Sequence, residues 1–247
     1  MQKSKILLGI IIVLTISFIG FQVFNLENIA NVVRSLILPL LTVLYCMHNR
    51  TKNSYFFYFL LAYSISEFMG LFIYFAQTSV IVDNIIFYGG NVLYIFAYIF
   101  LIVEVLRSMD LKGLFRRFPV HIAILLAMDI YSVIFVTDIA VKSGRLDNVL
   151  AFAIEITYNI SIMVLLTITL INYISRDSKK AMNLLVGALC IVFSEVIQVA
   201  YFYVSDINLL SVIYSVLLVF AFGFFYLQSS MEYIKEKNYE TLEKLEA

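Results

Sequence analysis

The stretch that decides the fold is GALCIVFSEVIQ, residues Gly187–Gln198. It lies inside an apolar run, Ala181–Ser205, in which Glu195 is the one acidic or basic side chain. Twenty-five residues of helix span about 37 Å, which exceeds the roughly 30 Å hydrocarbon core of a bilayer. The run therefore predicts a transmembrane helix with a carboxyl group near the middle of the membrane, where a charge costs about 2.5–3.5 kcal/mol on insertion scales.

A second segment repeats this arrangement. Between residues 55 and 75 the one charged side chain is Glu67, which follows Ser66 as Glu195 follows Ser194. Ionisable groups inside a membrane mark functional sites by default, because the bilayer disfavours them so strongly. The two glutamates are therefore predicted to be functional, and polar contacts that hold helices together are the alternative interpretation.

Composition assigns the chain to a broad class. Of its 247 residues 62% are hydrophobic and only 14% are charged, and the mean hydropathy is +0.95. A soluble domain carries about 25% charged residues, so the composition predicts an integral membrane protein. The formal net charge of zero argues against nucleic acid as a partner. Cys46 and Cys190 both lie in apolar runs, which predicts free thiols.

The pattern of apolar runs predicts an all-α, polytopic transmembrane helix bundle with eight spans. Short linkers leave no room for a soluble domain, so residues 1–231 form one transmembrane domain and residues 232–247 a short charged cytoplasmic tail. The predicted spans are Ile6–Leu26, Ile29–Met47, Tyr55–Phe75, Asn84–Val103, Phe118–Thr137, Asn148–Ile174, Ala181–Ser205 and Ile207–Met231.

The distribution of basic residues predicts the orientation. One side of the eight-span arrangement holds 14 Lys and Arg residues, whereas the other holds Arg34, Lys142 and Arg145. By the positive-inside rule both termini are cytoplasmic. The predicted location is a cell membrane, a bacterial inner membrane, in which the protein is a multi-pass integral component.

Polar side chains recur at helical spacing on several spans. Asn91 and Tyr94 share a face, as do Glu155, Tyr158 and Asn159. Polar groups in hydrocarbon turn toward the interior of a bundle, where they form hydrogen bonds. These faces therefore predict a polar, tyrosine-lined cavity enclosed by the helices.

Several chemistries are excluded by the sequence. Two histidines and two scattered cysteines give no metal-ligand spacing, and no glycine-rich phosphate loop is present. No cofactor is therefore expected. Two buried carboxyl groups, however, suit acid–base hydrolysis, because desolvation favours the neutral acid while a better-solvated partner acts as a base toward water. The sequence carries no signal for a particular oligomeric state.

Four short motifs resemble those of the YhhN family, the lysoplasmalogenases, and the resemblance extends over essentially the whole chain. Gly187–Glu195 resembles the family's seventh-span motif of Gly-Ala, apolar residues and Ser-Asp. Tyr63–Glu67 resembles its third-span motif ending in Gly-Asp. Arg34–Pro39 stands where the family has Lys-Pro-Leu, and Asn91–Tyr94 where it has His-x-x-Tyr. This chain departs from the pattern by Glu for Asp twice, Arg for Lys, Ser for Pro and Asn for His.

The resemblance implies an intramembrane hydrolase that cleaves the vinyl-ether bond of a lysoplasmalogen, a lysophospholipid, to give a fatty aldehyde and a glycerophospho head group. By this likeness Glu67 and Glu195 are the candidate catalytic pair, in place of the family's two aspartates. The partner is a lysophospholipid or another single-chain lipid within the membrane. The candidate substrate-binding residues are Arg34, Asn91, Tyr94, Tyr158, Asn159 and Ser194.

The hydrolase hypothesis carries a geometric expectation. The third and seventh spans should be neighbours, and Glu67 and Glu195 should open onto one pocket with Arg34 toward its outer mouth. The two carboxyl groups should lie within about 10 Å of each other, as in paired-carboxylate hydrolysis of glycosides. The alternative is a non-catalytic lipid-binding or proton-coupled transport protein, in which the acids are polar contacts or proton relays.

Overall fold

The computed structural model describes residues 2–48, 54–75, 80–142, 148–205 and 207–231. These ranges contain nine α-helices and no strand. The predicted tail, residues 232–247, lies outside the described residues, as do the loop positions Arg50, Lys52 and Arg145. The helices are α1 Gln2–Val23, α2 Glu27–His48, α3 Tyr55–Phe75, α4 Val80–Arg107, α5 Leu111–Arg117, α6 Pro119–Lys142, α7 Val149–Arg176, α8 Lys179–Tyr203 and α9 Asn208–Ser229.

Eight of the helices in the described part of the chain are long and apolar enough to cross a membrane. This confirms the predicted all-α class and places a helix long and apolar enough to cross a membrane at each of the eight predicted spans. The exception is α5, a seven-residue helix inside what the sequence predicted as a loop. It is too short to cross a bilayer, and it ends in Arg116 and Arg117.

The surface of the bundle is apolar and its interior is mixed. Large hydrophobic side chains are exposed on all eight spans, for example Ile16 on α1 and Ile130 on α6. Buried positions, in contrast, include carboxyl, amide and hydroxyl groups such as those of Glu67, Asn159 and Thr42. A protein surrounded by lipid has this distribution, because lipid chains accept apolar side chains and polar groups find partners only inside.

Seven of the spans close into a ring. Each packs against the next in the order α1, α2, α3, α4, α7, α8 and α9, and α9 returns to α1. The remaining span, α6, packs against α7 and α8 from outside. Helices from both halves of the chain, α1–α4 and α7–α9, therefore surround the interior of the ring.

The prediction that the third and seventh spans are neighbours is wrong. These spans are α3 and α8, and they are separated by α4 and α7 on one side of the ring and by α9, α1 and α2 on the other. Spacing along one helix shows which face is polar, but it does not show which helix lies opposite that face. Instead, α3 and α8 are connected through a series of side-chain contacts made by tyrosine residues of α3, α4 and α7 in the interior of the ring.

Polar side chains join neighbouring spans around most of the ring. Such hydrogen bonds contribute about 0.6 kcal/mol each on average in a measured membrane protein, so the set stabilises the ring by several small increments. The pairs are Gln22–Ser211 (α1–α9), Thr42–Ser64 (α2–α3), Ser66–Gly90 (α3–α4), Tyr88–Asn148 (α4–α7), Tyr158–Glu195 (α7–α8) and Ser194–Tyr214 (α8–α9).

The outer helix α6 is joined to α7 by a buried carboxyl group. The Thr167 hydroxyl donates a hydrogen bond of 2.7 Å to Asp129, and both residues are buried. This contact agrees with a structural role for Asp129 as the anchor of α6.

The closest helix packing involves the glycine of the GALCIVFSE motif. A Cβ atom added to Gly187 on α8 would lie 2.5 Å from Cε1 of Phe225 on α9. The Phe225 ring is fully buried and packs against Phe59 and Phe222, so it has no room to move. Gly187 therefore allows α8 and α9 to approach, which gives this part of the motif a structural function.

We expect Gly187→Ala to destabilise the protein by about 1–3 kcal/mol, because overpacking a filled core forces side chains out of their preferred rotamers. Denaturation in detergent micelles measures this change. Gly20→Ala is the matched control, since a Cβ at Gly20 has no atom within 4 Å. Equal stability of the two variants would contradict the close approach of α8 and α9.

Candidate active site

Glu67 is the most enclosed carboxylate of the described residues. It lies in the middle of α3, its side chain is 3% exposed, and both of its oxygens face donors. The Tyr94 hydroxyl on α4 donates to Oε1 at 3.0 Å, and Nε of Arg34 on α2 lies 3.5 Å from Oε2. Among the described residues this is the one ion pair of Arg34. A guanidinium and a phenol hydroxyl thus face the two oxygens of Glu67.

Glu195 has a different environment. The Tyr158 hydroxyl on α7 donates to its Oε1 at 2.6 Å, and no basic group of the described residues pairs with it. Asn159, one position after Tyr158, donates through Nδ2 to Oε1 of Glu155 at 3.2 Å. One neutral donor on one oxygen leaves Oε2 of Glu195 free to carry a proton.

Four tyrosine rings connect the two glutamates, and we call Tyr63, Tyr94, Tyr98 and Tyr158 the tyrosine cluster. The rings form a closed cycle with centroid distances of 4.5 Å (63–94), 6.5 Å (94–158), 5.7 Å (158–98) and 6.1 Å (98–63). Glu67 binds the hydroxyl of one member of the cluster and Glu195 that of another. The two acids therefore belong to one continuous network of side chains.

The serine of each Ser-Glu pair has the same structural role. Ser66 donates to the Gly90 carbonyl on α4, and Ser194 donates to the Tyr214 carbonyl on α9, both at 2.8 Å. Each serine thus attaches its own helix to the next one in the chain, which fixes the rotation of the helix and the direction of the adjacent glutamate. This parallel was not apparent from the sequence beyond the repeated dipeptide.

The structure brings some of the predicted site residues together and not others. Arg34, Glu67 and Tyr94 meet directly, as do Tyr158 and Glu195. The remaining three are engaged in their own contacts: Asn91 donates to the Phe87 carbonyl at 2.8 Å, Asn159 to Glu155, and Ser194 to Tyr214. Substrate binding by these three residues stays a prediction.

An apolar cavity adjoins the Arg34–Glu67 pair. It has a volume of about 160 Å³ and lies between α1, α2 and α9, and Arg34 is the one charged residue among its described lining residues. Phe222 forms part of its wall and also contacts Tyr63 of the tyrosine cluster, with centroids 4.7 Å apart. The cavity and the network of the two carboxylates therefore share a boundary.

A second, polar cavity of about 620 Å³ lies where α1 ends and α2 begins. Its lining includes Glu27, whose Oε1 accepts a hydrogen bond of 2.6 Å from Tyr201, and Asn208. Along α1 and α9 the hydrogen-bonded pair Gln22–Ser211 falls between the residues that line this cavity and those that line the apolar one. This side of the bundle therefore contains four features in order: the polar cavity, the Gln22–Ser211 hydrogen bond, Arg34 and the apolar cavity.

Neither the apolar nor the polar cavity is lined by Glu67 or Glu195, and the predicted pocket shared by the two glutamates stays a prediction. Tyrosine rings occupy the space through which Glu67 and Glu195 are connected, because aromatic side chains from α3, α4 and α7 are long enough to meet there. The predicted carboxyl separation stays a prediction. Arg34, predicted from the sequence as a substrate-binding residue toward the outer mouth of that pocket, is paired with Glu67.

Sequence reasoning missed two residues of the site, Tyr63 and Phe222. Tyr63 precedes Glu67 by one helical turn, and this spacing placed it on the polar face without identifying a role. Phe222 lies in α9, which has no charged residue, so no pattern distinguished it from lipid-facing residues. Ring contacts between α9 and α3 place Phe222 against Phe59 and Tyr63.

Comparisons of the chain with protein-family models, with curated proteins and with solved structures gave no match.

Proposed function

We propose that the protein is an intramembrane hydrolase of the lysoplasmalogenase type, a divergent member of the YhhN family, which cleaves the vinyl-ether bond of a single-chain lipid. The observation that carries the proposal is the difference between the environments of the two acids, of which Glu67 is buried and Glu195 is half-buried. Glu67 has the Tyr94 hydroxyl at one oxygen and the Arg34 guanidinium at the other, whereas Glu195 has a single neutral donor among the described residues. Titratable groups whose environments separate their charge states are suited to act as acid and base.

The roles follow from these environments. Glu195 supplies the proton, since its one described donor faces Oε1 and none of the described ion pairs includes the group. Glu67 is the carboxylate that receives a proton from water, and Arg34 stabilises its charge. Tyr94 and Tyr158 orient the two acids through their hydroxyl groups. Movement of the rings of the tyrosine cluster would admit the ether between the acids.

The reaction balances with water as the one co-reactant. Glu195 protonates the β-carbon of the vinyl ether, which gives an oxocarbenium ion. Water attacks the adjacent carbon and loses a proton to Glu67, which forms a hemiacetal. The hemiacetal collapses to a fatty aldehyde and the glycerol hydroxyl of the head group, and proton transfer between the acids restores the starting state.

The two cavities favour a single-chain amphiphile as substrate. An alkyl chain fits the apolar cavity, a bond next to the chain lies at Arg34 and Glu67, and a polar head group fits the cavity near Glu27. Membrane association of such a lipid supplies the substrate directly to the bundle. The cytoplasmic placement of both termini, in a bacterial inner membrane, is part of this proposal and rests on the positive-inside count.

Release of aldehyde from a lysoplasmalogen by the purified protein tests the proposal. The matched control substrate is the lysophospholipid that carries the same chain through an ester, which cannot form an aldehyde by hydrolysis. We expect aldehyde from the vinyl ether alone. A protein that releases none from vinyl-ether lysolipids, while folded in the same micelles, would contradict the enzyme proposal.

A second candidate function is a non-catalytic lipid-binding or proton-coupled transport protein. The observation that favours it is the packing of the tyrosine cluster, whose rings fill the space between the two acids. A network of acids and phenols can pass protons without a substrate between them. Lysolipid uptake that collapses with the pH gradient would support this function.

A further inference from the structure

The hydroxyl group of Tyr98 on α4 is a buried polar group without a partner. The Tyr98 side chain is fully buried, and its oxygen forms no hydrogen bond with any of the described residues. The large majority of buried side-chain polar atoms in proteins have a partner, because a buried hydroxyl that lacks one destabilises the fold. Departures from this rule are expected at functional sites, where a bound molecule completes the bonding.

The Tyr98 hydroxyl lies beside the two acids. Its ring is a member of the tyrosine cluster and contacts the rings of Tyr63 and Tyr158 edge-on, with centroids 6.1 Å and 5.7 Å away. Tyr98 nevertheless forms no hydrogen bond with either neighbour. Since the Tyr158 hydroxyl donates to Glu195, the unpartnered oxygen is one ring away from the proposed proton donor.

Packing alone does not account for this oxygen. Tyr98 is the largest of the fully buried side chains in the described part of the chain, and a phenylalanine ring would fill the same space without burying a polar atom. Two other buried hydroxyls of the described residues lack a partner, those of Thr137 on α6 and Ser215 on α9. Neither belongs to the tyrosine cluster, so Tyr98 is the candidate for contact with a molecule between the acids.

The chemistry of the phenol selects the group that it would bind. A phenol hydroxyl donates one hydrogen bond and can accept another. Near its reactive bond, a single-chain vinyl-ether lipid carries the ether oxygen, a free glycerol hydroxyl and a phosphate. A donor on the ether oxygen would oppose the positive charge that develops there on protonation, and a phosphate requires cations. The glycerol hydroxyl, which also donates and accepts, matches Tyr98.

We infer that the Tyr98 hydroxyl binds the free glycerol hydroxyl next to the vinyl ether, which makes Tyr98 a residue that determines specificity. The inference rests on the proposed function for the class of lipid. A site that bonds a substrate hydroxyl rejects an analogue without it, because the buried group of the protein then stays unpaired. Acylation of the same oxygen removes its hydrogen and adds a chain among packed rings, so Tyr98 also selects against two-chain lipids.

The stability of the lipid-free protein provides the first test. Tyr98→Phe should raise the midpoint of thermal unfolding in micelles by about 2–4 °C, because it removes the unpaired oxygen and keeps the ring. Tyr45→Phe is the matched control, since Tyr45 is also buried but its hydroxyl forms a hydrogen bond of 2.9 Å with Ser54. This control should lower the midpoint. A lower midpoint for Tyr98→Phe as well would overturn the inference.

Lipid binding provides the second test, with two radiolabelled probes that the proposed reaction cannot cleave. One is a lysophosphatidylcholine whose hexadecyl chain is attached by a saturated ether, and the other is its analogue without the glycerol hydroxyl. We expect the wild type to bind the first about tenfold more tightly than the second. In Tyr98→Phe the two affinities should become nearly equal.

Thr137→Val separates the loss of an unpaired hydroxyl from the loss of a lipid contact. It removes a buried, unpartnered hydroxyl outside the tyrosine cluster, so it should raise the midpoint and leave the tenfold preference intact. Equal affinities in the wild type, or a preference that persists in Tyr98→Phe, would overturn the inference. A Tyr98-dependent preference without aldehyde release from a lysoplasmalogen would support this contact and contradict the enzyme. Aldehyde release without any preference would do the reverse.

Discussion

Glu195→Gln should lower aldehyde release from a lysoplasmalogen by about 10²-fold or more, because a positioned general acid contributes about 10²–10⁴-fold. Glutamine has nearly the same shape as glutamic acid, and its amide oxygen still accepts the hydrogen bond from Tyr158. The amide cannot transfer a proton to the vinyl ether. The variant therefore removes the proton and leaves the packing of α7 on α8 intact.

Two comparisons make this result specific. Glu104→Gln is the matched control: Glu104 accepts a hydrogen bond from the backbone N–H of Tyr55, near the end of α4, and lies outside the two acid environments. We expect its activity to equal that of the wild type. Glu67→Gln should lower activity as well, but it should also lower stability, since it leaves Arg34 without its carboxylate. Full activity of Glu195→Gln would exclude Glu195 as the acid.

Arg34→Met should lower the free energy of unfolding by about 3–5 kcal/mol, the typical cost of removing one member of a buried ion pair. Glu67 is 3% exposed, and Arg34 is its one cationic partner among the described residues. Without the guanidinium, the carboxylate must stay charged in hydrocarbon or take up a proton. Denaturation of the purified protein in micelles measures the change.

The double variant Arg34→Met, Glu67→Gln should recover most of that loss, because removing both partners leaves no uncompensated charge. Lys142→Met is the matched control, since Lys142 and Asp138 form an exposed i, i+4 pair on α6 at 2.6 Å. Exposed pairs contribute about 0.2–1 kcal/mol, so this variant should differ little from the wild type. A double variant as unstable as Arg34→Met would show that the charges of Arg34 and Glu67 are not coupled.

The helices were predictable because each carries its own signal. An apolar run longer than the bilayer core predicts a span wherever it occurs, and all eight runs form helices in the structure. The short helix α5 was not predictable in this way, because its seven residues, Leu111–Arg117, carry three basic groups and no apolar run. Closure of the ring by α1 and α9 depends on packing between segments from opposite ends of the chain, which no local pattern encodes.

Part of the site was predictable, because placing polar residues in hydrocarbon costs free energy and such residues are therefore noticeable in apolar helices. Glu67, Glu195, Tyr94 and Tyr158 were identified because they interrupt apolar helices, and each acid meets one of these tyrosines. The ion pair with Arg34 was not identified, since it joins α2 to α3 through side chains whose direction the sequence leaves open. The apolar cavity could not be predicted from the sequence, because most of its lining residues are apolar and resemble those that face lipid.

Proteoliposomes that contain wild-type protein, a lysoplasmalogen and a trapped pH-sensitive dye separate a hydrolase from a proton-coupled transporter most directly. Aldehyde and internal pH are followed in the same sample, with Glu195→Gln as the comparison. We predict aldehyde formation by the wild type, loss of at least about 10²-fold in Glu195→Gln, and no lipid-dependent change in internal pH. A pH change that depends on lysolipid and on Glu195, without aldehyde, would contradict catalysis by the two acids.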